Sequence, residues 1–241
     1  MKVETIAYEI EGRSYEGRLV YEPAAGPRPG VVMGPNWMGV TDHAEARARL
    51  LGAGRYTVFV ADMYGAGVRP ADAAQAAALA NPLRENPIES RKRILGALAA
   101  LKKAGTDRGV LDSRLAAVGF CFGGGNVLDL VRAGARLAAA VSIHGDLATP
   151  SPAGPGDIKA AVLAVHGSAD PVAPKAQRDA FEAEMEAAGA RWRLLVIGGA
   201  VHAFTDEGMN VPGVAVYDRT ASRLAFDATH AFLDEAFASP V

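Results

Sequence analysis

Cys121 stands in the run Leu115-Ala116-Ala117-Val118-Gly119-Phe120-Cys121-Phe122-Gly123-Gly124-Gly125. An apolar strand pattern passes into a G-x-C-x-G turn and then into a helix pattern carrying Val127, Leu128, Leu130 and Val131. That is the strand, turn, helix context of a nucleophile elbow, with cysteine in place of serine. The turn thrusts its central residue out of the sheet through a strained backbone, and side chains larger than hydrogen two positions away would clash. A thiol held there faces the N-terminus of the following helix, whose dipole favours thiolate. A free cysteine met alone reads more simply as a buried apolar residue; this turn favours the nucleophile.

A nucleophilic thiol needs a base and an acid to orient it, and in such a fold they follow in the order nucleophile, acid, base. After the apolar run Ala161 to Val165 comes His166-Gly167-Ser168-Ala169-Asp170-Pro171, and after Arg191 to Ile197 comes Gly198-Gly199-Ala200-Val201-His202-Ala203-Phe204. Asp170 and His202 therefore leave strand ends on the edge where open α/β sheets place their sites. His202 would take the thiol proton and return it to the leaving group, while Asp170 fixes its tautomer. Asp170 alone is also ordinary turn chemistry, and its order and spacing decide for the acid. Of the other histidines, His230 falls on the apolar side of the last helix and His43 in a first turn. His144 and His166 lie at strand ends near the site, with His166 supporting the acid loop.

An oxyanion formed at Cys121 needs two donors. Phe122 offers its backbone N–H, and the loop Gly34-Pro35-Asn36-Trp37-Met38-Gly39 offers that of Trp37. Tyr64 and Phe204, with Trp37 and Phe122, are candidate apolar walls for a substrate, and Asn36 a candidate substrate contact.

The elements that must position these residues are legible as two periods. Ile6, Tyr8 and Ile10 alternate with polar neighbours, and Tyr15, Leu19 and Tyr21 share one parity, so the chain opens with two half-buried strands joined through Gly12-Arg13-Ser14. Wholly apolar runs then recur at Gly30 to Met33, Tyr56 to Val60, Leu115 to Val118 and Ala161 to Val165, the mark of parallel strands covered on both faces. Between them, Asp42 with Glu45 reads as a capping box for a helix ending near Gly52. Asn86-Pro87 opens a helix to Gly105 with Ile94, Leu95, Leu98 and Leu101 on one face. Pro174 opens another to Gly189, and a final helix turns Phe226, Leu233 and Phe237 inward. Met63 to Pro70, Asp146 to Asp157 and Thr205 to Asp218 read as loops. The result is an α/β fold, a mainly parallel central sheet with helices on both faces and an N-terminal antiparallel hairpin, in one domain over residues 1–241.

The chain has 241 residues, half of them hydrophobic, and a formal net charge of −2. Balanced charge excludes an extended basic surface for nucleic acid; Arg91-Lys92-Arg93 is a solvated helix face. The single cysteine excludes an intrachain disulfide and a cysteine zinc site. No signal peptide or membrane span is readable, so a cytoplasmic protein is expected, with no metal, cofactor, nucleic-acid or membrane partner. A monomer is expected, with a homodimer as the alternative.

These residues resemble the dienelactone hydrolase family of the α/β-hydrolase superfamily. The likeness runs over nearly the whole chain: the hairpin, the Pro35-Asn36-Trp37-Met38-Gly39 loop, Val60 to Gly65, the Gly119-Phe120-Cys121-Phe122-Gly123-Gly124 elbow, the His166 to Asp170 loop and His202-Ala203-Phe204. It implies the α/β-hydrolase fold, a Cys121, Asp170 and His202 triad, and hydrolysis of a carboxylic ester or lactone through a cysteinyl thioester. Two departures bear on chemistry. Members carry a Glu-x-x-Gly glutamate able to accept the resting thiol's proton, where this chain has Asn36, whose amide cannot. Members also hold a substrate carboxylate with two arginines, one just after the catalytic histidine, where this chain has Thr205-Asp206-Glu207, and one in the segment Ala71 to Ala76, which has none. Arg69 and Arg84 are the cations left to substitute. A small neutral ester or lactone is therefore the expected substrate. The alternatives are a dienelactone hydrolase proper in aromatic catabolism, or a non-hydrolytic thiol module serving redox sensing or binding.

Overall fold

The computed structural model describes residues 1–23 and 26–238. Strands β1 (Lys2–Ile10) and β2 (Arg13–Tyr21) form the opening hairpin. Its turn is Glu11-Gly12, both with positive φ (49° and 78°), as a two-residue hairpin twisted to match its strands requires. Arg13 and Ser14, expected in the turn, belong to β2.

The sheet continues through β3 (Arg28–Gly34), β4 (Thr57–Val60), β5 (Val110–Phe120), β6 (Ala139–Ile143), β7 (Ala161–Gly167) and β8 (Arg191–Ile197). Its order is β1-β2-β4-β3-β5-β6-β7-β8, and every pair from β4 to β8 is parallel. The chain leaves β3 toward β4 on one side and later returns to place β5 on the other. The loops after β3 and β5 therefore meet at the switch point where open sheets leave a crevice.

Alternating side chains divide the core in two. Val32, Phe59 and Ala117 face α2 (Ala73–Glu85), α3 (Pro87–Gly105), α4 (Phe122–Arg132) and α5 (Lys175–Ala187). Val31, Met33, Val58 and Val118 face α1 (Asp42–Gly52) and α6 (Arg219–Ala238).

Helix α1 is capped by Thr41, whose hydroxyl accepts from the Ala44 N–H. Asp42 is the first helical residue rather than the cap, and Glu45 pairs with Arg49 instead of closing a capping box. Asn86 caps α3 through the Glu89 N–H with Pro87 behind it, as the sequence predicts. Ile94, Leu98 and Leu101 are buried, whereas Leu95 lies one position off the stripe and is exposed. The segment expected as a plain loop after His202 holds a short ribbon, β9 (Asn210–Val211) with β10 (Ala215–Val216).

Two glycines fix how closely α4 approaches the sheet. A Cβ on Gly119 would lie 2.0 Å from the Gly123 carbonyl oxygen, and one on Gly123 would lie 2.0 Å from that of Gly34. Backbone cannot withdraw from such a contact as a flexible side chain can. Gly123→Ala is expected to cost about 3 kcal/mol or more, read as a lowered urea midpoint at unchanged m-value.

Candidate active site

Cys121 occupies the bend between β5 and α4 with φ 53° and ψ −122°, a backbone that side-chain-bearing residues rarely adopt. Its N–H is shared between the Ile143 carbonyl (3.1 Å) and Nδ1 of His144 (3.2 Å). The thiol is partly exposed.

His202 Nε2 lies 3.1 Å from the Cys121 Sγ, and its Nδ1 lies 2.9 Å from the Asp170 Oδ2. These three residues come from three different strand ends. Asp170 is anchored through its other oxygen, which accepts from the N–H groups of Val172 (2.8 Å) and Ala173 (3.3 Å). His166 stands behind it, with Nε2 3.3 Å from Asp170 Oδ2 and 3.1 Å from the Ala173 carbonyl.

Burial alone would lower the pKa of His202, but hydrogen bonds to Asp170 and Cys121 and their charges outweigh it, and it is pushed up to about 10. Burial would likewise raise Asp170, yet the bonds from His166 and His202 hold it well below the carboxylate range. The arrangement favours an imidazolium between a carboxylate and a sulfur able to carry negative charge.

His144 is the functional neighbour whose role the sequence did not reveal. Fully buried, it accepts from the Cys121 N–H at Nδ1, so its Nε2 carries the proton and donates to Thr205 Oγ1 at 2.8 Å. Burial, and then the charge of His202, hold its pKa far below the ordinary value, which keeps it neutral and its Nδ1 free to accept. Its ring packs edge-on against His202 and Phe204, with centroids 5.3 and 4.9 Å away. Only its place at a strand end signalled it.

The loop after β3 turns back on itself: Gly39 N–H bonds to the Asn36 carbonyl, and Met38 N–H to the Asn36 Oδ1. Those bonds engage the amides of Met38 and Gly39 but not that of Trp37. Phe122, as the first residue of α4, has an N–H without an intrahelical acceptor. The two expected oxyanion donors thus sit on adjacent loops at the switch point.

Two expected substrate walls have other work. Tyr64 is 1% exposed, stacks on Phe122 and donates its hydroxyl to the Trp37 carbonyl at 2.8 Å. Phe204 is fully buried against His144. Neither presents surface to a ligand, because each fills core beneath a site loop. Asn36, expected as a substrate contact, spends its amide on Met38 and on Asp206 Oδ2 (3.3 Å). A cavity of about 450 Å³ opens beside Phe122, lined in part by Leu83, Arg84, Gly125, Asp146 and Ala148.

A family model described as the dienelactone hydrolase family matches residues 16–237. The chain belongs to the dienelactone hydrolase family. Among solved structures, it is 33% identical to a dienelactone hydrolase-like promiscuous phosphotriesterase from metagenomic libraries, with a TM-score of 0.86 over 98% of both chains. The dienelactone hydrolase of Anabaena variabilis shares the fold at 20% identity and a TM-score of 0.66, over 100% of this chain and 98% of that one. An acylaminoacyl peptidase of Pyrococcus horikoshii shares it at 12% identity and a TM-score of 0.71, over 98% of this chain but 42% of that one. No curated protein gives a match. Dienelactone hydrolase family membership makes the chain a hydrolase of α/β-hydrolase fold. Among the described residues, no helix is long and apolar enough to cross a membrane, and no group of acidic, histidine or cysteine side chains is placed to hold a metal ion.

Two outcomes test this geometry. The unfolded imidazole titrates near 6.5 and the folded one near 10, so the folded state holds the extra proton between those values. The stability that His202 contributes is complete below 6.5 and is lost as pH rises toward 10. Denaturant midpoints of wild type and His202→Gln should therefore converge as pH is raised through that window. His144→Phe keeps a packed ring but removes the partner of the buried Thr205 hydroxyl. A loss of about 1–3 kcal/mol is expected, measured by urea unfolding.

Proposed function

We propose that the protein hydrolyses small, neutral carboxylic esters or lactones through a thioester on Cys121. The observation that carries the reading is the single line of contacts from Cys121 Sγ through His202 to Asp170, 3.1 and 2.9 Å long. With the thiol proton taken up by His202, the Cys121 sulfur attacks the carbonyl carbon, and the oxygen that gains charge is met by the N–H groups of Trp37 and Phe122. Collapse expels the alcohol, which takes its proton from His202. Water then gives a proton to His202 and adds its oxygen to the thioester carbon. The C–S bond breaks, the acid leaves, and sulfur and imidazole regain the resting state. Asp170 holds the imidazole throughout.

Neutral substrates are favoured because the nearby arginines already face carboxylates. Arg84, lying over the Phe122 ring, is 2.7 Å from Asp146; Arg69 is 3.7 Å from Asp62; Arg47 is 3.8 Å from Asp206. An anionic lactone would have to displace one of these partners. Asp206, which stands where members of the family carry an arginine, is buried against Asn36 and Arg47. The 33% identity to a promiscuous phosphotriesterase makes an aryl phosphotriester a second class worth presenting.

The test compares wild type and Cys121→Ala on 4-nitrophenyl acetate and on an anionic dienelactone. Expected is turnover of the acetate that falls by about 10³-fold or more in the variant, with an acetyl adduct on Cys121 in acid-quenched wild type. Efficient turnover of the dienelactone would reinstate an anion clamp. Equal rates in both proteins would remove the thioester, and no turnover of either would favour a thiol sensor or binding module.

A further inference from the structure

We infer that Asp206 is a positioning residue for the oxyanion loop: its buried carboxylate holds the Asn36 side chain and, through it, the Trp37 amide beside the elbow. The inference rests on the thioester reading and adds to it a residue outside the acid, base and nucleophile.

Asn36 is held at both ends of its amide. Its Oδ1 accepts from the Met38 N–H at 3.0 Å, which fixes that atom as oxygen and leaves Nδ2 to donate to Asp206 Oδ2 at 3.3 Å. The first bond closes the turn that carries Trp37. The second ties that turn to the loop of His202, four residues before Asp206. The Asp206 backbone is set in turn, with its N–H on the Ala203 carbonyl and its carbonyl accepting from Met209. One side-chain bond therefore couples the loop that would carry the base to the loop that would receive the oxyanion.

Nothing in the carboxylate's surroundings competes for this task. Its other oxygen, Oδ1, is buried without a hydrogen bond and faces Arg47 Nε at 3.8 Å and His43 Nε2 at 3.7 Å, both from α1. Arg47 balances its charge, and neither side chain satisfies its geometry. The pairing also accounts for an amide at position 36. A carboxylate there would face Asp206 oxygen to oxygen, whereas an amide can donate to Asp206 and accept from Met38 at once. Tyr64 supplies a separate fastening on the Trp37 carbonyl at 2.8 Å, so loss of Asp206 should loosen the turn rather than unfold it.

Asp206→Ala removes the acceptor, while Asp206→Asn keeps an oxygen for Asn36 and loses only the charge. Both leave Arg47 uncompensated, so both should lower Tm. With 4-nitrophenyl acetate, Asp206→Ala is expected to lose about 10- to 100-fold in kcat at little change in KM, and Asp206→Asn to recover most of it. The rate of Cys121 alkylation by iodoacetamide, which forms no oxyanion, should be the same in all three proteins. Equal kcat in wild type and Asp206→Ala, or equal losses in the two variants, would overturn the inference. If Asp206→Ala does not fold, Asn36→Ala breaks the same bond and must show the same split between kcat and alkylation.

A second readout does not need turnover. The chain has two tryptophans, Trp37 and Trp192, so in a Trp192→Phe background all tryptophan emission comes from the loop. Asp206→Ala should increase iodide quenching of Trp37 and lower its anisotropy, and Asp206→Asn should not. Unchanged emission in Asp206→Ala would refute the coupling even in a protein that turned over no ester. Absence of Cys121-dependent turnover with a loosened Trp37 would instead refute the thioester reading and leave the coupling standing.

Discussion

The bend at Cys121 is the constraint on which everything else hangs. A cysteine at φ 53° and ψ −122° costs of the order of 1–3 kcal/mol, and the surrounding structure has to over-determine it. It does so from both sides. Ahead of the bend, β5 is clasped between β3 and β6, and the Cys121 N–H is shared by Ile143 and His144. Behind it, Gly123 lies so close to Gly34 and Gly119 that no side chain fits between them. A hydrophobic core alone would let α4 settle farther from the sheet and the bend relax. Backbone packed on backbone denies it that freedom.

The loops around the bend are fastened to one another as firmly as to the sheet. His144 reaches Thr205, Asn36 reaches Asp206, and Tyr64 reaches the Trp37 carbonyl. His202 is set by its backbone as well, its N–H bonded to Val214 and its carbonyl accepting from Val216 of the following ribbon. Buried polar groups at the ends of parallel strands would be costly if left alone. Here those pairs meet across loops, Asp206 Oδ1 alone of their atoms being left without a hydrogen bond, and the same bonds that offset desolvation fix the spacing between sulfur, imidazole and carboxylate.

The sequence carried the elbow, the acid loop and the histidine loop because each uses residues whose backbone or chemistry admits few alternatives. Gly119 and Gly123 admit no side chain, and Cys121 has no rival thiol. Parallel strands were legible as apolar runs for the same reason, being buried on both faces. What was illegible depends on distant partners. Nothing local distinguishes His144 from a core histidine, since its role exists only because Thr205 and the Cys121 N–H converge on it. Tyr64 and Phe204 looked like walls because aromatic residues flank the motifs, but Tyr64 is buried against Phe122 and the Trp37 carbonyl and Phe204 against His144. Asp206 stands beside Glu207 in a segment that reads as a loop, and only the fold brings Arg47 of α1 to it. Thr41 took the cap from Asp42 because one residue's slip in a helix start leaves composition unchanged.

The solitary thiol has a redox consequence. The thiolate is the form of cysteine that peroxides oxidise. A sulfenic acid formed on Cys121 has no second cysteine in its own chain with which to condense. Repair must come from a thiol in the surrounding solution, which has to reach a sulfur that is only partly exposed. Where small thiols are plentiful, each oxidation event is reversible by mixed-disulfide formation and exchange; where they are scarce, the next oxidation step carries the sulfur to sulfinic acid and ends its life as a nucleophile.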